Sequence, residues 1–424
     1  MERVVSRLML TALFIGLTLA FASQPVRTEP KAITVPDDYS TIQEAINNAV
    51  EGDTIYVRAG TYHEHVVVNR SVSLLGEGAE VTAINGDRWG RTVIVTADNV
   101  SVSSLRIEEG GQSIIEYDCS LYVSSSGCNI HNNDVVDAAV LILVDSVSSN
   151  TNITANNVSS GARGILFDAS DSTIACNNIL AGGLVNFGVY GYNNTITGNH
   201  IRNQAGGWPL TLSDWNNVTG NTLELVTRFQ NFSGISVMGS HNTITNNTVV
   251  CSAVGDVDVF GIEMKLSNNT IYHNNFFNYT KPILLESPTN NTWDNGYPSG
   301  GNYWGDYGGT DSYSGSYQNE TGRDGIGDTA YIFNANNTDN YPLMYPYPCP
   351  TMPWDITGPT EWVPDTKCDI RDVALIASLF GSVAGDGRYD RRIDVTGPTY
   401  LFPDNKIDIR DVALTAMHFG EAFP

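Results

Sequence analysis

The sequence predicts a mainly β chain: a right-handed parallel β-helix, followed by a small α-helical module. Three observations predict the coil. The pattern Ile-x-x-Asn-x-apolar recurs at Ile130/Asn133/Val135, Ile153/Asn156/Val158, Ile174/Asn177/Ile179, Ile196/Asn199/Ile201, Val218/Asn221/Leu223, Ile244/Asn247/Val249 and Ile271/Asn274/Phe276. Successive first positions lie 23, 21, 22, 22, 26 and 27 residues apart, the self-similarity of a solenoid. Glycine-led triplets such as Gly164-Ile165-Leu166-Phe167 and Gly261-Ile262-Glu263-Met264 add short strands of period two. No apolar stripe long enough for a helix fits between them. The repeated Asn then stacks coil on coil at a bend, amide bonded to amide about 4.8 Å apart. Tolerance of the left-handed backbone conformation makes Asn suited to the bend.

Taken in order, the chain opens on Arg3 and Arg7, the apolar run Leu8 to Leu19 and the small-x-small site Ala20-Phe21-Ala22. This reads as a signal peptide over residues 1–22 and predicts a secreted or cell-surface protein. The run falls short of the about 20 residues a span needs, so no membrane span is expected after cleavage. Forty-six acidic residues against 22 basic give a net charge of −24, which argues against nucleic acid as a partner. Asn-x-Ser/Thr sequons recur, among them Asn157, Asn217 and Asn268, several on the bend pattern itself. Cys119, Cys128, Cys176, Cys251, Cys349 and Cys368 show no CxxC spacing. Sparse disulfides and small buried residues are both open for them.

Residues 33–57 are expected to form an N-terminal cap. Ser40 reads as an N-cap with Gln43 completing a capping box, and Ile42, Ala45, Ile46 and Ala49 share one helical face. A solenoid needs such a cover over its first rung. The repeats occupy 128–276, and Val102 to Ile107 reads as a rung lacking the Asn.

Here a resemblance enters. The opening ITVPDDYSTIQEAINNAVEGDTIYVRAGTYHEHVVV, the NNTIxxN repeats, and the closing GGNYWGDY…DGIGDTAYIF…DNYPLM resemble the NosD-like β-helix proteins over residues 33–344. The resemblance implies a PbH1-repeat coil, a C-terminal cap over 296–344 and kinship with archaeal surface proteins. It also implies copper, which needs imidazole or soft ligands. His63 and His65 alternate on one strand, whereas His131, His200, His241 and His273 fall at different repeat positions. Asp306, Asp311, Asp324 and Asp328 are candidate calcium ligands in the terminal cap.

A Pro-rich linker, 341–354, leads to a tandem repeat over 355–424. Asp355, Thr357, Asp365, Lys367, Asp369 and Asp372 recur 39 residues later as Asp394, Thr396, Asp404, Lys406, Asp408 and Asp411. Each set precedes an apolar helix, Val373 to Phe380 or Val412 to Phe419. Asp-x-x-x-Asp-x-x-Asp matches positions 5, 9 and 12 of an EF-hand loop, with the Lys carbonyl at position 7. The repeat closely resembles a type I dockerin, which implies two calcium ions and a cohesin-type protein partner. An insertion after Thr357 departs from the compact loop.

Two further sets of candidates lie on the coil. The column after each apolar triplet reads Ser124, Asp145, Asp168, Tyr192, Ser213, Met238, Lys265, Glu286. Asp145 and Asp168 are then expected on neighbouring rungs, about 5 Å apart, as a retaining carboxylate pair or a cation site. Insertions at 180–187, 202–208, 224–233 and 250–260 are expected to bring Phe187, Trp208, Phe229, Phe232, Asp256, Asp258 and Phe260 to one side, with Trp215 nearby, for stacking on sugar rings. The function expected from all this is a surface carbohydrate-binding or scaffolding protein held by its calcium module. A polysaccharide lyase or glycoside hydrolase and a copper-handling protein are the alternatives.

Overall fold

The computed structural model describes residues 29–347, except 184, 204–205, 230, 287–289 and 323, together with 370–383 and 406–417. The expected signal peptide, the linker beyond residue 347 and most of the tandem repeat lie outside the described residues.

The coil is a right-handed parallel β-solenoid of about 11 turns. Each turn contributes one strand to each of three parallel sheets, of 11, 11 and 10 strands in the order the chain meets them. The first sheet runs from Ala32–Val35 to Thr270–Tyr272, the second from Gly60–His63 to Tyr303–Trp304, and the third from Val66–Val68 to Lys281–Leu285. Pairing is in register, Ile130 on Ile153 on Ile174 on Ile196, so identical apolar side chains stack up the axis. These isoleucines and the third-sheet pairs Leu121/Val123, Ile142/Val144 and Ile165/Phe167 make one continuous core.

The first bend, between the first and second sheets, carries the expected ladder. Asn133, Asn156, Asn177, Asn199, Asn221, Asn247 and Asn274 are buried. Asn133 opens the ladder by accepting from Leu105 N, and each later side-chain carbonyl accepts the backbone N–H and amide of the Asn one rung earlier, as Asn199 does from Asn177 at 3.0 and 2.9 Å. The left-handed residue is not the ladder Asn but the one before it: Asn132, Ala155, Cys176, Gly198, Gly220, Asn246 and His273 all have φ near +60°. The ladder Asn is there to satisfy backbone groups that a tight bend strips from the sheets.

A second ladder stands at the bend from the third sheet back to the first. Ser172 N donates to Asn194, Asn194 N to Asn216, Asn216 N to Asn242, Asn242 N to Asn269 and Asn269 N to Asn291, at 2.8–3.0 Å. Both ladders finish on one hairpin, Tyr331–Asn334 with Asn337–Asp339. Asn337 accepts from Asn291 N and Trp293 Nε1, and Asp339 from Asn302 N and Trp304 Nε1. The GGNYWG and DNYPLM motifs are therefore two halves of one terminus.

Helix α1 (Ile42–Asn48) buries Ile42, Ala45 and Ile46 against the coil core. Its N-cap is Thr41, which accepts from Glu44 N at 3.1 Å, rather than Ser40. Gln43 instead pairs both ways with the backbone of Val67, and Glu64 takes the free Ile42 and Gln43 N–H groups.

In the C-terminal repeat, α2 (Ile370–Ser378) and α3 (Ile409–Met417) start three residues earlier than the apolar pattern suggests. Ile376 and Ile407 form their small core with Leu375, Leu379 and Val412.

Candidate functional site

The outer face of the third sheet holds the groove of interest. Backbone bonds from Asp145 N to Val123 O, Asp168 N to Val144 O and Tyr190 N to Phe167 O place Asp145, Asp168 and Tyr190 at the same position on consecutive rungs. The expected acid pair is therefore real as a column, while its next member is Tyr190 and not Tyr192. Two residues earlier lies a second outward column, Tyr122, Leu143, Leu166 and Gly188. Three residues before that stands a third, Arg91, Cys119, Val140 and Arg163. Tyr117, in the turn between Arg106–Glu108 and Cys119–Val123, completes the wall. Arg91, Tyr117, Tyr122, Asp145, Arg163, Asp168 and Tyr190 line a cavity of about 420 Å³, with Leu143 and Leu166 on its floor.

The two acids differ in environment. Asp145 is saturated: it accepts from Tyr122 OH at 2.5 Å, Ser146 Oγ at 3.1 Å and Val147 N at 3.3 Å. The Tyr122 hydroxyl above all holds its carboxyl below the usual aspartate range. Among the described residues the Asp168 carboxylate accepts no hydrogen bond; burial, and then the Asp145 charge, push it up. Arg91 lies with its guanidinium 3.6 Å from the centre of the Tyr122 ring. Among the described residues Arg163 has no carboxylate within 4.0 Å, and Asp168 at the end of its strand feels Asp145 rather than the guanidinium. The site so presents a carboxyl end, a guanidinium end and tyrosine walls over an apolar floor. Sequence reasoning found the acids and missed Arg91, Tyr122, Arg163 and Tyr190; aligning the other outward columns of the same strands reveals them.

Further along the same face, Glu263 is buried and accepts from Ser236 Oγ at 2.6 Å, with Lys265 3.4 Å away and bridging on to Glu286 at 3.3 Å. Burial raises the Glu263 carboxyl. The column pattern pointed to Lys265 and Glu286 but not to this third member.

The aromatic candidates do not gather on one side. Phe187 points into the core and is fully buried, because its position continues the inward column Leu121, Ile142, Ile165. Trp215 sits at the opposite bend, 58% exposed, stacked on His241 of the next rung at 4.1 Å. Trp208 and Phe232 pack edge to face at 4.8 Å, with Phe229 6.4 Å from Phe232. Phe260 is buried. Asp256 is exposed, and Asp258 pairs with Lys281 at 2.6 Å. The expected insertions are largely taken up as longer strands, Thr222–Thr227, Phe232–Val237, Thr248–Ala253 and Val259–Met264.

The proposed metal sets fare differently. Asp306, Asp311, Asp324 and Asp328 do not converge. Asp306 accepts from Tyr279 and Tyr331, Asp311 from the N–H groups of Asp324 and Gly325, Asp324 from Ile326 N and Gln318, and Asp328 from Thr310, Ser312 and Tyr313. These carboxylates are spent on closing loops. The histidines likewise have separate partners: His63 Asp87, His65 the Arg91 carbonyl, His131 Asn132, His200 Glu224, His241 Trp215, His273 the Ser299 carbonyl. Cys119, Cys128, Cys176 and Cys251 are free thiols, and burial pushes Cys119 and Cys251 up to about 12. Among the described residues no three His, Cys, Asp or Glu side chains converge to hold a metal, so the donor set does not fit copper. Asp355, Thr357, Asp365, Lys367, Asp369, Asp394, Thr396 and Asp404 lie outside the described residues, as does the side chain of Asp372. Asp411 accepts from Asp408 N at 2.7 Å, and Asp408 takes the Arg410 N–H and guanidinium at 2.8 and 2.9 Å, with Lys406 3.7 Å away. No helix among the described residues is long and apolar enough to cross a membrane.

A cell surface glycoprotein of Methanothermus fervidus is 28% identical over 337 residues, covering 65% of this chain and 52% of that protein. Probable pectinesterase 56 of Arabidopsis thaliana is 27% identical over 125 residues, covering 26% of this chain and 42% of its own length. The chain thus spans about half the length of these curated relatives. Among solved structures, ORF18 of Geobacillus virus E2 aligns at a TM-score of 0.46 and 13% identity, covering 72% of this chain and 68% of that one. The family described as periplasmic copper-binding protein (NosD) matches residues 46–309. With well over half of its length inside that match, the chain belongs to the NosD family.

Proposed function

We propose that this chain is a cell-surface saccharide-binding protein whose site is the groove of Arg91, Tyr117, Tyr122, Asp145, Arg163, Asp168 and Tyr190. One observation carries the reading: the half-buried Asp168 carboxylate faces the cavity without a protein hydrogen-bond partner among the described residues. A buried polar group wants a partner, and a sugar hydroxyl supplies one. Tyrosine faces beside it suit the apolar face of a pyranose ring. The relative called a cell surface glycoprotein supports the location, and the relative called a pectinesterase supports a saccharide ligand.

A second reading, glycoside hydrolysis at the same place, is favoured by the opposite shifts of the two acids. Carboxyls on adjacent rungs, about 5 Å apart, have the spacing of a retaining pair, with Asp168 as the acid and Asp145 as the nucleophile. Incubating the full chain with a polysaccharide panel separates the readings. Retention of polymer without new reducing ends or unsaturated products supports binding; reducing ends that vanish in Asp168→Asn support hydrolysis. No retention and no product contradicts both.

The remaining assignments rest on the same proposal. Helix α1 closes the N-terminal end of the coil, and residues 296–344 close the other. Residues 1–22 are removed on export. The tandem repeat binds two calcium ions through Asp365, Asp369 and Asp372 with the Lys367 carbonyl, and through Asp404, Asp408 and Asp411 with the Lys406 carbonyl. Asp355, Thr357, Asp394 and Thr396 complete the two loops. The loaded module docks a cohesin-type partner.

A further inference from the structure

The groove carries more positive charge than a neutral sugar needs. In a chain of net charge −24, cations find carboxylates easily, and about half of the described ones do. Arg58 pairs with Asp37, Arg88 with Glu109 and Asp137, Arg106 with Glu108 and Asp134, Lys265 with Glu263 and Glu286, and Lys281 with Asp258. Among the described residues Arg91 and Arg163 are exceptions, as are Lys31, Arg70, Arg202 and Arg228, but of these only Arg91 and Arg163 line the cavity. Among the described residues neither has a carboxylate within the 4.0 Å of an ion pair, although two aspartates line that cavity too.

Register explains why they cannot reach those aspartates by default. Arg163 opens its strand, and Asp168 follows its end five residues later, about 16 Å along the backbone. Arg91 and Arg163 occupy one column, joined through Cys119 and Val140, so three rungs, about 14 Å, separate their backbones. Two long side chains on either side of the small Cys119 and Val140 can close on one anion between them, or engage successive anions on a polymer. Arg91 is already positioned by the Tyr122 ring, which leaves its planar edge for a bidentate contact.

We infer that the groove selects an acidic saccharide, its anionic group held between Arg91 and Arg163 and its hydroxyls turned to Asp145 and Asp168. This rests on the saccharide-binding reading and adds charge and polarity to it. The recognised chemistry is an anion on a sugar ring, which a uronate carboxylate or a sulfate ester both supply. The acids at the far end do not oppose it: Asp145 has its charge spread over three donors, and the distance along the strand keeps Asp168 from the guanidinium of Arg163.

The test is titration calorimetry of the full chain. Probes are oligomers of galacturonate, mannuronate and glucuronate, their methyl esters, and a sulfated galactan oligomer. The expected result is that at least one acidic oligomer binds more tightly than its neutral form, and that added salt weakens it. Arg91→Gln and Arg163→Gln should each lower that affinity about 10- to 100-fold, the range for a hydrogen bond to a charged group. Arg163→Lys should keep part of it, and unchanged melting of the variants shows that folding is not the cause. Sulfated oligomer binding with the uronates silent would assign the anion as sulfate. Esters binding as well as acids would overturn the inference and leave the saccharide site standing. Acid preference that survives both Gln variants would also overturn it. Binding of no probe at all would remove the inference together with the site.

Discussion

Replacing Asn199 by alanine removes five hydrogen bonds from one bend. Its carbonyl accepts from Asn177 N and Nδ2, and its amide donates to the carbonyls of Ile174 and Thr197 and to Asn221 Oδ1, at 2.9–3.2 Å. Asn177 Nδ2 keeps Ile153 O, and Asn221 Oδ1 keeps Asn199 N. The Asn177 N–H keeps nothing and is buried. One orphaned amide plus the weakened neighbours costs about 2–4 kcal/mol. Stability in a solenoid is carried between adjacent rungs, so the loss should appear locally first. Hydrogen exchange of the peptide covering Asn177 should quicken by about 30- to 1000-fold, with smaller changes several rungs away. Asn157→Ala is the control: Asn157 is exposed and bonds Asp134 and Asn178 side chains at the surface, so its loss should stay within about 0.5 kcal/mol. Equal exchange at Asn177 in wild type and Asn199→Ala would refute the account of the bend.

Asp339 takes the place the next ladder Asn would occupy, and burial pushes its carboxyl up to about 7. The folded chain then binds the proton more tightly than the unfolded one, so stability falls as pH rises from about 4 to about 7, by about 4 kcal/mol in total. Asp339→Asn should abolish that part of the pH dependence and stabilise the chain at pH 8, read as a difference in urea midpoints. Tyr122→Phe removes the main support of the ionised Asp145 and should raise its pKa toward the usual value, visible by carboxyl NMR. If hydrolysis is found, Asp145→Asn and Asp168→Asn should each abolish it. Calorimetry should give two calcium ions per chain at about 10⁻⁵–10⁻³ M, since Asp at loop position 12 has a shorter arm than Glu. Asp369→Ala and Asp408→Ala should each remove one, and no heat in wild type would reject the calcium loops.

The coil was legible because its signal is periodic: six Asn spacings of 21 to 27 residues leave little choice of architecture. The second ladder was not singled out, although Asn194, Asn216, Asn242 and Asn269 stand just before the Thr-Ile or Val-Thr of each repeat. The adjacent Asn pairs made the two bends look like one. The acid pair was visible because a period-two strand fixes which residues share a column. The tyrosine shared by that column was misplaced by two residues, since Phe187-Gly188-Val189 does not advertise where the strand ends. Aligning the outward columns places Arg91 and Arg163 together but does not show why they matter. Their significance is the lack of a carboxylate partner among the described residues, and only three-dimensional neighbours show that. Phe187 shows the converse limit: an aromatic next to an expected insertion looks available for a ligand until register turns it inward.

The central claim is that saccharide binds over Asp145 and Asp168 on the outer face of the third sheet. A crystal structure of the chain with the tightest oligosaccharide from the panel tests it most directly. The account predicts a sugar ring against Tyr122 or Tyr190, with a hydroxyl on the Asp168 carboxylate. Sugar seated instead at Trp208, Phe229 and Phe232, or at Trp215, with the Asp168 carboxylate untouched, would contradict it.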